Sequence, residues 1–249
     1  MINNKHAHNW IDRTGEIGYT KYGTPMKIVE YNRTSDILIE FLDNYRIQKH
    51  TSYEKFINRN VKNPYDRSLY GIGFLGEGGL AVQNNKKTKE YRAWSSMIYR
   101  CYYKKYKYTF AAYKDCEVSE EWENYSNFYK WYSQNKYKCS DNLEIDKDIL
   151  SNGNKVYSSE TCLLVPKRIN NFCQASKQGG CYLTKSNTWA ARLNHNKQNI
   201  HIGVFKSFKE AEDAFLLYKN SILQNLVEKY KTEIPKDTYN KLKNAKLRG

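Results

Sequence analysis

The sequence predicts an α+β protein built from several small modules. Three observations carry this. Short β-type runs gather near both ends of the chain, helical periodicity fills the middle, and polar or glycine-rich breaks separate them. The expected modules are a small β module over 1–62, a glycine-rich linker over 63–90 and a central α+β unit over 91–178. A three-strand-plus-helix domain follows over 179–223, then a basic tail over 224–249.

In the first module, "MKIVEY" and "DILIEF" are β-type runs separated by the turn-like "NRTS". Alternation through Ile37, Ile39 and Phe41 half-buries one face, as in a small antiparallel barrel or sheet. The stretch 63–90 is rich in glycine and ends in polar residues. It lacks the GKS/T or strand–GxGxxG–helix setting that a phosphate loop requires.

The middle opens with a helix carrying Trp94, Met97, Ile98 and Cys101 at i, i+3, i+4 and i+7. That stripe predicts a core face. Arg92, Arg100, Lys104, Lys105 and Lys107 surround it with positive charge, and Arg100 is a candidate DNA contact. A second helix is expected from Ser119, with Ser119 as cap and Glu120 and Glu121 complementing the dipole. Trp122, Tyr125, Phe128, Tyr129 and Tyr132 would pack it. In the C-terminal domain, "CYLTK", "TWAARLN" and "NIHIGVF" read as strands. A helix with Phe208, Ala211, Ala214, Phe215 and Tyr218 on one side follows. The tail, with seven Lys/Arg against three Asp/Glu, reads either as a basic segment lying along phosphates or as a frayed terminus.

The formal charge is +15, from 41 Lys+Arg against 26 Asp+Glu among 249 residues. Such a balance argues against a typical metabolic enzyme and for a polyanion partner, most simply double-stranded DNA. The 23 tyrosines can stack on bases or fill small cores. Six cysteines form no CxxC pair, so structural Zn²⁺ is unsupported, although distant cysteines could converge. With no leader or membrane-spanning run in view, a cytoplasmic protein with reduced thiols and no membrane partner is expected.

The chemistry concentrates in 142–172, "NLEIDKDILSNGNKVYSSETCLLVPKRINNF". "LEIDKDIL" alternates as a strand, which would put Asp146 and Asp148 on one face. "NGNK" is a hairpin turn because Gly153 accepts positive φ. "TCLLVPKRINNF" returns as a strand and enters a helix bearing Asn170 and Asn171. A carboxylate and an amide oxygen brought together in this way suit Mg²⁺ (or Mn²⁺), which can polarise a phosphodiester. Residue type alone equally allows a salt-bridged Asp146 and a turn-lining Asn170.

"IDKDIL…GNKVYSSETCLLVPKRIN" resembles the ββα-metal motif of HNH endonucleases. It resembles more closely a phage-encoded branch of that family. There "W…M…RCY", "W…F..W" and "DKDIL..GNK.YS.ETC..VP..IN" recur in order, matched here by Trp94, Met97, Arg100–Tyr102, Trp122, Phe128, Trp131 and 146–170. The resemblance covers residues 91–175 and implies Asp146 and Asn170 as metal ligands. Lys147 stands where the family carries its general-base histidine, and Thr161, nine residues before Asn170, where it carries an orienting asparagine. No histidine lies between His50 and His195. An ordinary lysine is protonated at neutral pH, so Lys147 would act as a lowered-pKa base or a fixed cation, with Asp148 or a metal-bound hydroxide as base. The C-terminal domain resembles the sheet-and-helix DNA-binding domain of plant ethylene-response factors, through "WAARL", "IGVF" and "FKEAEDAFLLYK". That likeness implies DNA contacts from Trp189, Arg192, Asn194 and Lys197. For Trp189, core packing is the competing expectation. Together these imply a metal-dependent DNA endonuclease of the homing or restriction-like kind, in a phage or prophage setting in a bacterial host cell. The alternative is a DNA-binding regulator or host-defence antagonist on a degenerate scaffold. A third is a structural or protein-binding phage component.

Overall fold

The computed structural model describes residues 11–110, 113–150, 153–174, 179–245 and 247. The chain is mixed, 34% helical and 27% strand. Among the described residues no helix is long and apolar enough to cross a membrane. The chain divides into two compact units, Met1–Tyr103 with Glu123–Phe128, and Lys104–Trp122 with Tyr129–Gly249.

In the first unit, β1 (Ile17–Tyr19), β2 (Pro25–Arg33), β3 (Asp36–Phe41) and β4 (Gln48–Thr51) form an antiparallel sheet in that order. The alternation predicted it: Ile37, Ile39 and Phe41 are fully buried, with Met26 and Ile28 of β2 beside them. Phe56 of α1 (Tyr53–Ile57) and Val61 cover that face. Ser52 caps α1 by accepting the Lys55 N–H. The helix closes in a Schellman motif, with Arg59 N–H donating to Phe56 O and Asn60 N–H to Lys55 O. Arg59 holds the left-handed position, φ 57°, that glycine usually takes.

β5 (Val82–Gln83) and β6 (Lys86–Lys87) pair across Asn84 and Asn85, both at positive φ, and α2 (Lys89–Tyr102) follows. Thr88 caps α2 by accepting the Tyr91 N–H. The predicted stripe of Trp94, Met97, Ile98 and Cys101 is buried. The glycine-rich stretch expected as a linker is instead packed. A Cβ on Gly73 would meet the Trp94 ring at 2.9 Å, and one on Gly76, at φ 64°, would collide with Asn124. Leu80 O accepts from both the Thr88 and the Tyr125 hydroxyls at 2.9 Å.

The second unit begins with α3 (Lys104–Thr109), β7 (Glu117–Val118), α4 (Glu120–Glu123) and α5 (Tyr125–Asn135), the last shared with the first unit. One helix was expected from Ser119. The break exists because Phe74 pairs strand-like with this segment: Phe74 N–H donates to Glu123 O, and Tyr125 N–H donates to Phe74 O. The Ser119 hydroxyl finds no partner among the described residues, so it does not cap.

Next come β8 (Leu143–Asp146), β9 (Val156–Tyr157), β10 (Leu163–Pro166) and α6 (Lys167–Cys173). β8 and β10 pair antiparallel, Leu163 opposite Asp146 and Val165 opposite Glu144, while β9 runs parallel to β7. β11 (Gly179–Leu183), β12 (Trp189–His195) and β13 (Gln198–Phe205) form a three-stranded antiparallel sheet. Asn196 and Lys197, both at positive φ, make the two-residue turn between β12 and β13.

α7 (Phe208–Lys229) packs on that sheet and continues past it, and α8 (Lys236–Asn244) folds back. The second half of α7 makes the difference from expectation. Its buried positions are Ala211, Lys219, Leu223, Leu226 and Val227, while Phe208 and Tyr218 are exposed. Leu223, Leu226 and Val227, with Ile234 and Leu242, close one core with Leu163, Val165, Ile169 and Phe172. The tail, read from sequence either as a basic segment along phosphates or as a frayed terminus, contributes Leu226, Val227, Ile234 and Leu242 to this core. Its Lys231 and Lys243 pair with Glu228, and its Lys241 with Asp237.

Lys219 is 3% exposed, with Nζ 6.0 Å from the Phe172 and Phe215 ring centroids. Burial pushes its ammonium below the usual lysine range, and the nearby Cys173 thiol opposes this. The penalty applies below the lowered pKa and fades as pH rises through the unfolded value near 10.4. Lys219→Met should stabilise the protein at pH 7 by about 1 kcal/mol, with the gain shrinking as pH rises toward ~10. Urea unfolding at the two pH values checks this, and a destabilised Lys219→Met would show that the ammonium has a needed partner.

Candidate functional site

β8 does not run on through "KDIL" as its alternation suggested. Asp146 stops it. Its Oδ1 accepts the N–H of Asp148 at 2.9 Å and of Ile149 at 2.7 Å, an Asx turn that competes with the ladder. Asp148 is consequently off the strand face and exposed. Ser151 and Asn152 of the expected turn lie outside the described residues, and Gly153 has the predicted positive φ of 80°.

Lys147 is 5% exposed, and its Nζ donates to Asp148 Oδ1 at 2.5 Å and to Asn154 O at 2.7 Å. Asn154 donates to Val156 O at 2.6 Å. Thr161 Oγ1 donates to Val156 O at 2.7 Å and accepts the Ser158 N–H at 3.1 Å. Both residues thus hold the 147–161 loop by its own backbone. Its two hydrogen bonds commit Lys147 to its own loop.

Asp146 and Glu144 share one face of β8, about 7 Å apart along the strand. Asn170 lies on α6 and is 7% exposed. Its Nδ2 donates to Glu144 Oε2 at 2.7 Å. An ionised carboxylate only accepts, so Glu144 fixes which end of the amide it meets and leaves Asn170 Oδ1 directed elsewhere. Among the described residues neither Asn170 Oδ1 nor Asp146 Oδ2 has a hydrogen-bond partner. Two oxygens, one on β8 and one on α6, thus have no protein partner among the described residues. Glu144, which sequence reasoning missed, orients one of them; its alternation with Asp146 was the available signal. Burial pushes the Asp146 carboxyl above the usual carboxylate range, the two backbone N–H groups pull it down and the Asp148 charge adds to the rise.

An oxygen donor set of this kind fits Mg²⁺ completed by waters, since a hard cation would offset the desolvation of Asp146. No group of three or more His, Cys, Asp or Glu side chains gathers to hold a metal among the described residues. None of the six cysteines forms a disulfide, and burial raises Cys162 and Cys173 to about 12. The nearest histidine from the sheet, His195, stacks edge-on against Phe172 at 5.2 Å, and Arg168 bonds the adjacent Asn196. Arg168 and Phe172 are i, i+4 on α6, so His195 faces the side of the helix away from Asn170.

On the three-stranded sheet, pairing sorts the remaining candidates by face. Trp189 lies on the α7 side, its ring edge-on to Phe208 at 5.0 Å. Arg192, opposite His201, and Asn194, opposite Asn199, lie on the outer face and are exposed. The Arg192 guanidinium sits 4.8 Å from the Tyr182 ring. Lys197 is exposed on the turn. Arg100 lies on α2 in the first unit and bonds Ser96 O through Nε at 3.3 Å.

Two substitutions separate these roles. Asp146 ionises at a cost in the folded state, so the penalty is absent at low pH and complete at pH 7. Asp146→Asn keeps the acceptor and should raise the thermal midpoint of the cation-free protein at pH 7 but not at pH 3. Lys147→Met strands Asn154 O and should cost about 1–3 kcal/mol. Calorimetry at both pH values tests the pair, and a stable Lys147→Met would remove the loop-holding role.

No family model matches the chain, and no curated protein or solved structure is significantly similar to it.

Proposed function

We propose that the protein is a double-stranded-DNA-binding, Mg²⁺-dependent HNH-like endonuclease. What supports cleavage is that Asp146 Oδ2 and Asn170 Oδ1, on neighbouring elements, lack a protein partner among the described residues, the Asn170 amide being held through its Nδ2 by Glu144. Bound there, the cation would polarise the scissile phosphate and offset charge on the leaving oxygen. Asp148 is exposed and next to this pair, so its second carboxylate oxygen can take a proton from attacking water. The charge of +15 and the outer sheet face with Arg192, Asn194 and Lys197 support duplex DNA as substrate.

A second reading is favoured by the engagement of Lys147 and Thr161 and by the burial of Asn170. In that reading the same surface binds DNA and the ββα stretch, β8, β10 and α6, is only a scaffold, as in a regulator or host-defence antagonist.

Incubating supercoiled plasmid with the protein and Mg²⁺ or Mn²⁺ separates the two. The nuclease reading expects nicking that EDTA stops and that Asp146→Ala and Asn170→Ala each reduce by at least ~100-fold. Arg192→Ala should weaken duplex affinity about tenfold without changing the metal requirement. Intact plasmid alongside a salt-sensitive mobility shift supports the binder, and absence of any salt-sensitive affinity sinks both.

A further inference from the structure

The first unit contains a cleft of about 420 Å³ that the nuclease reading does not use. Its lining includes Lys21, Tyr22, Arg59, Val61 and Lys62, together with the carboxyl-bearing Asp66. Three cations converge on it, and none has a carboxylate partner among the described residues. The acid in the wall is turned inward: Asp66 is buried and receives the Thr24 hydroxyl at 2.5 Å. Asn63 is likewise committed, donating to Asp43 at 2.6 Å.

Two features of the local backbone bear on this surface. Tyr22 is 55% exposed, yet its turn is held, because the buried Thr20 hydroxyl accepts the N–H groups of Tyr22 and Thr24. Arg59 occupies the left-handed end of α1, where glycine would fit without strain. A long cationic side chain thus stands at a position where the backbone favours glycine.

We propose that this cleft binds a nucleoside phosphate, presented as an unpaired nucleotide of single-stranded DNA. Its volume lies in the range of small-ligand sites. Tyr22 offers an exposed face for a base, Val61 an apolar floor, and Lys21, Arg59 and Lys62 a phosphate site at the rim. Duplex DNA hides its base faces and would gain only the cationic part. The proposal needs the first unit alone and stands whether or not the second unit cuts DNA.

The test is fluorescence anisotropy with the full chain at ~150 mM salt. The probes are a labelled oligothymidylate of about twelve residues and a labelled duplex of about 20 base pairs. Tyr22→Ala and Arg59→Gly should each weaken single-strand binding about tenfold, Tyr22→Ala leaving duplex binding within about twofold and Arg59→Gly weakening it less than single-strand binding. Arg59→Gly relieves a strained position, so its thermal midpoint should not fall, and lost binding then reflects the lost side chain. Competition by dTMP that vanishes in Tyr22→Ala supports the same chemistry with a free nucleotide as its source. Unchanged oligothymidylate affinity in both variants overturns the proposal. So does an Arg59→Gly loss that is equal for single strand and duplex while Tyr22→Ala has none, because that is nonspecific charge.

Discussion

The second unit depends on covering one apolar face. Leu163 and Val165 of β10 and Ile169 and Phe172 of α6 are too few to bury one another, and Leu223, Leu226, Val227 and Leu242 close over them. Register then decides where the acids go. Leu163 stands opposite Asp146 and Val165 opposite Glu144. Directly opposed residues of an antiparallel pair project to the same side. Two carboxylates are thereby drawn to the covered side of the ribbon. The Asn170 amide, the Asx turn of Asp146 and the raised Asp146 pKa are all consequences of that placement. A polar group is costly there unless partnered, which is why the oxygens left open attract a functional reading.

Much of the fold was legible because apolar period reports burial. The Ile37–Ile39–Phe41 alternation and the Trp94–Cys101 stripe are both core. The errors came from competition that periodicity does not register. Residues 119–135 have helical spacing throughout, but backbone pairing with Phe74 interrupts them at 123–125. The tail is lysine-rich, yet Leu226, Val227, Ile234 and Leu242 within it outweigh its charge, because they complete a core begun some sixty residues earlier. Contacts at such separation leave no local mark.

Site residues divide along the same line. Asp146 and Asn170 were legible as polar groups on neighbouring elements. Lys147 and Thr161 looked like replacements for catalytic groups, and their hydrogen bonds give them a different reason to be present: they hold a loop that has little ladder pairing of its own. Glu144 was in plain view, but its importance depends on a hydrogen bond from 26 residues away. Trp189 and Arg192 could be assigned to opposite faces only once strand register was known.

The positive charge is also unevenly free. On the C-terminal helices and the turn between them, Lys209, Lys231 and Lys241 are engaged by acids three or four residues away. The Tyr239 hydroxyl and Lys231 hold Glu228 at about 2, so it stays ionised across the physiological range. Charges paired like this make neutral surface and attract a polyanion weakly. Lys21, Arg59, Lys62, Lys185, Arg192 and Lys197 have no such acid among the described residues. Unpaired cations beside an exposed tyrosine occur both at the cleft, with Tyr22, and on the outer sheet, with Tyr182. A polyanion bearing flat aromatic groups, the class proposed above, would engage the cations and the exposed tyrosine faces together.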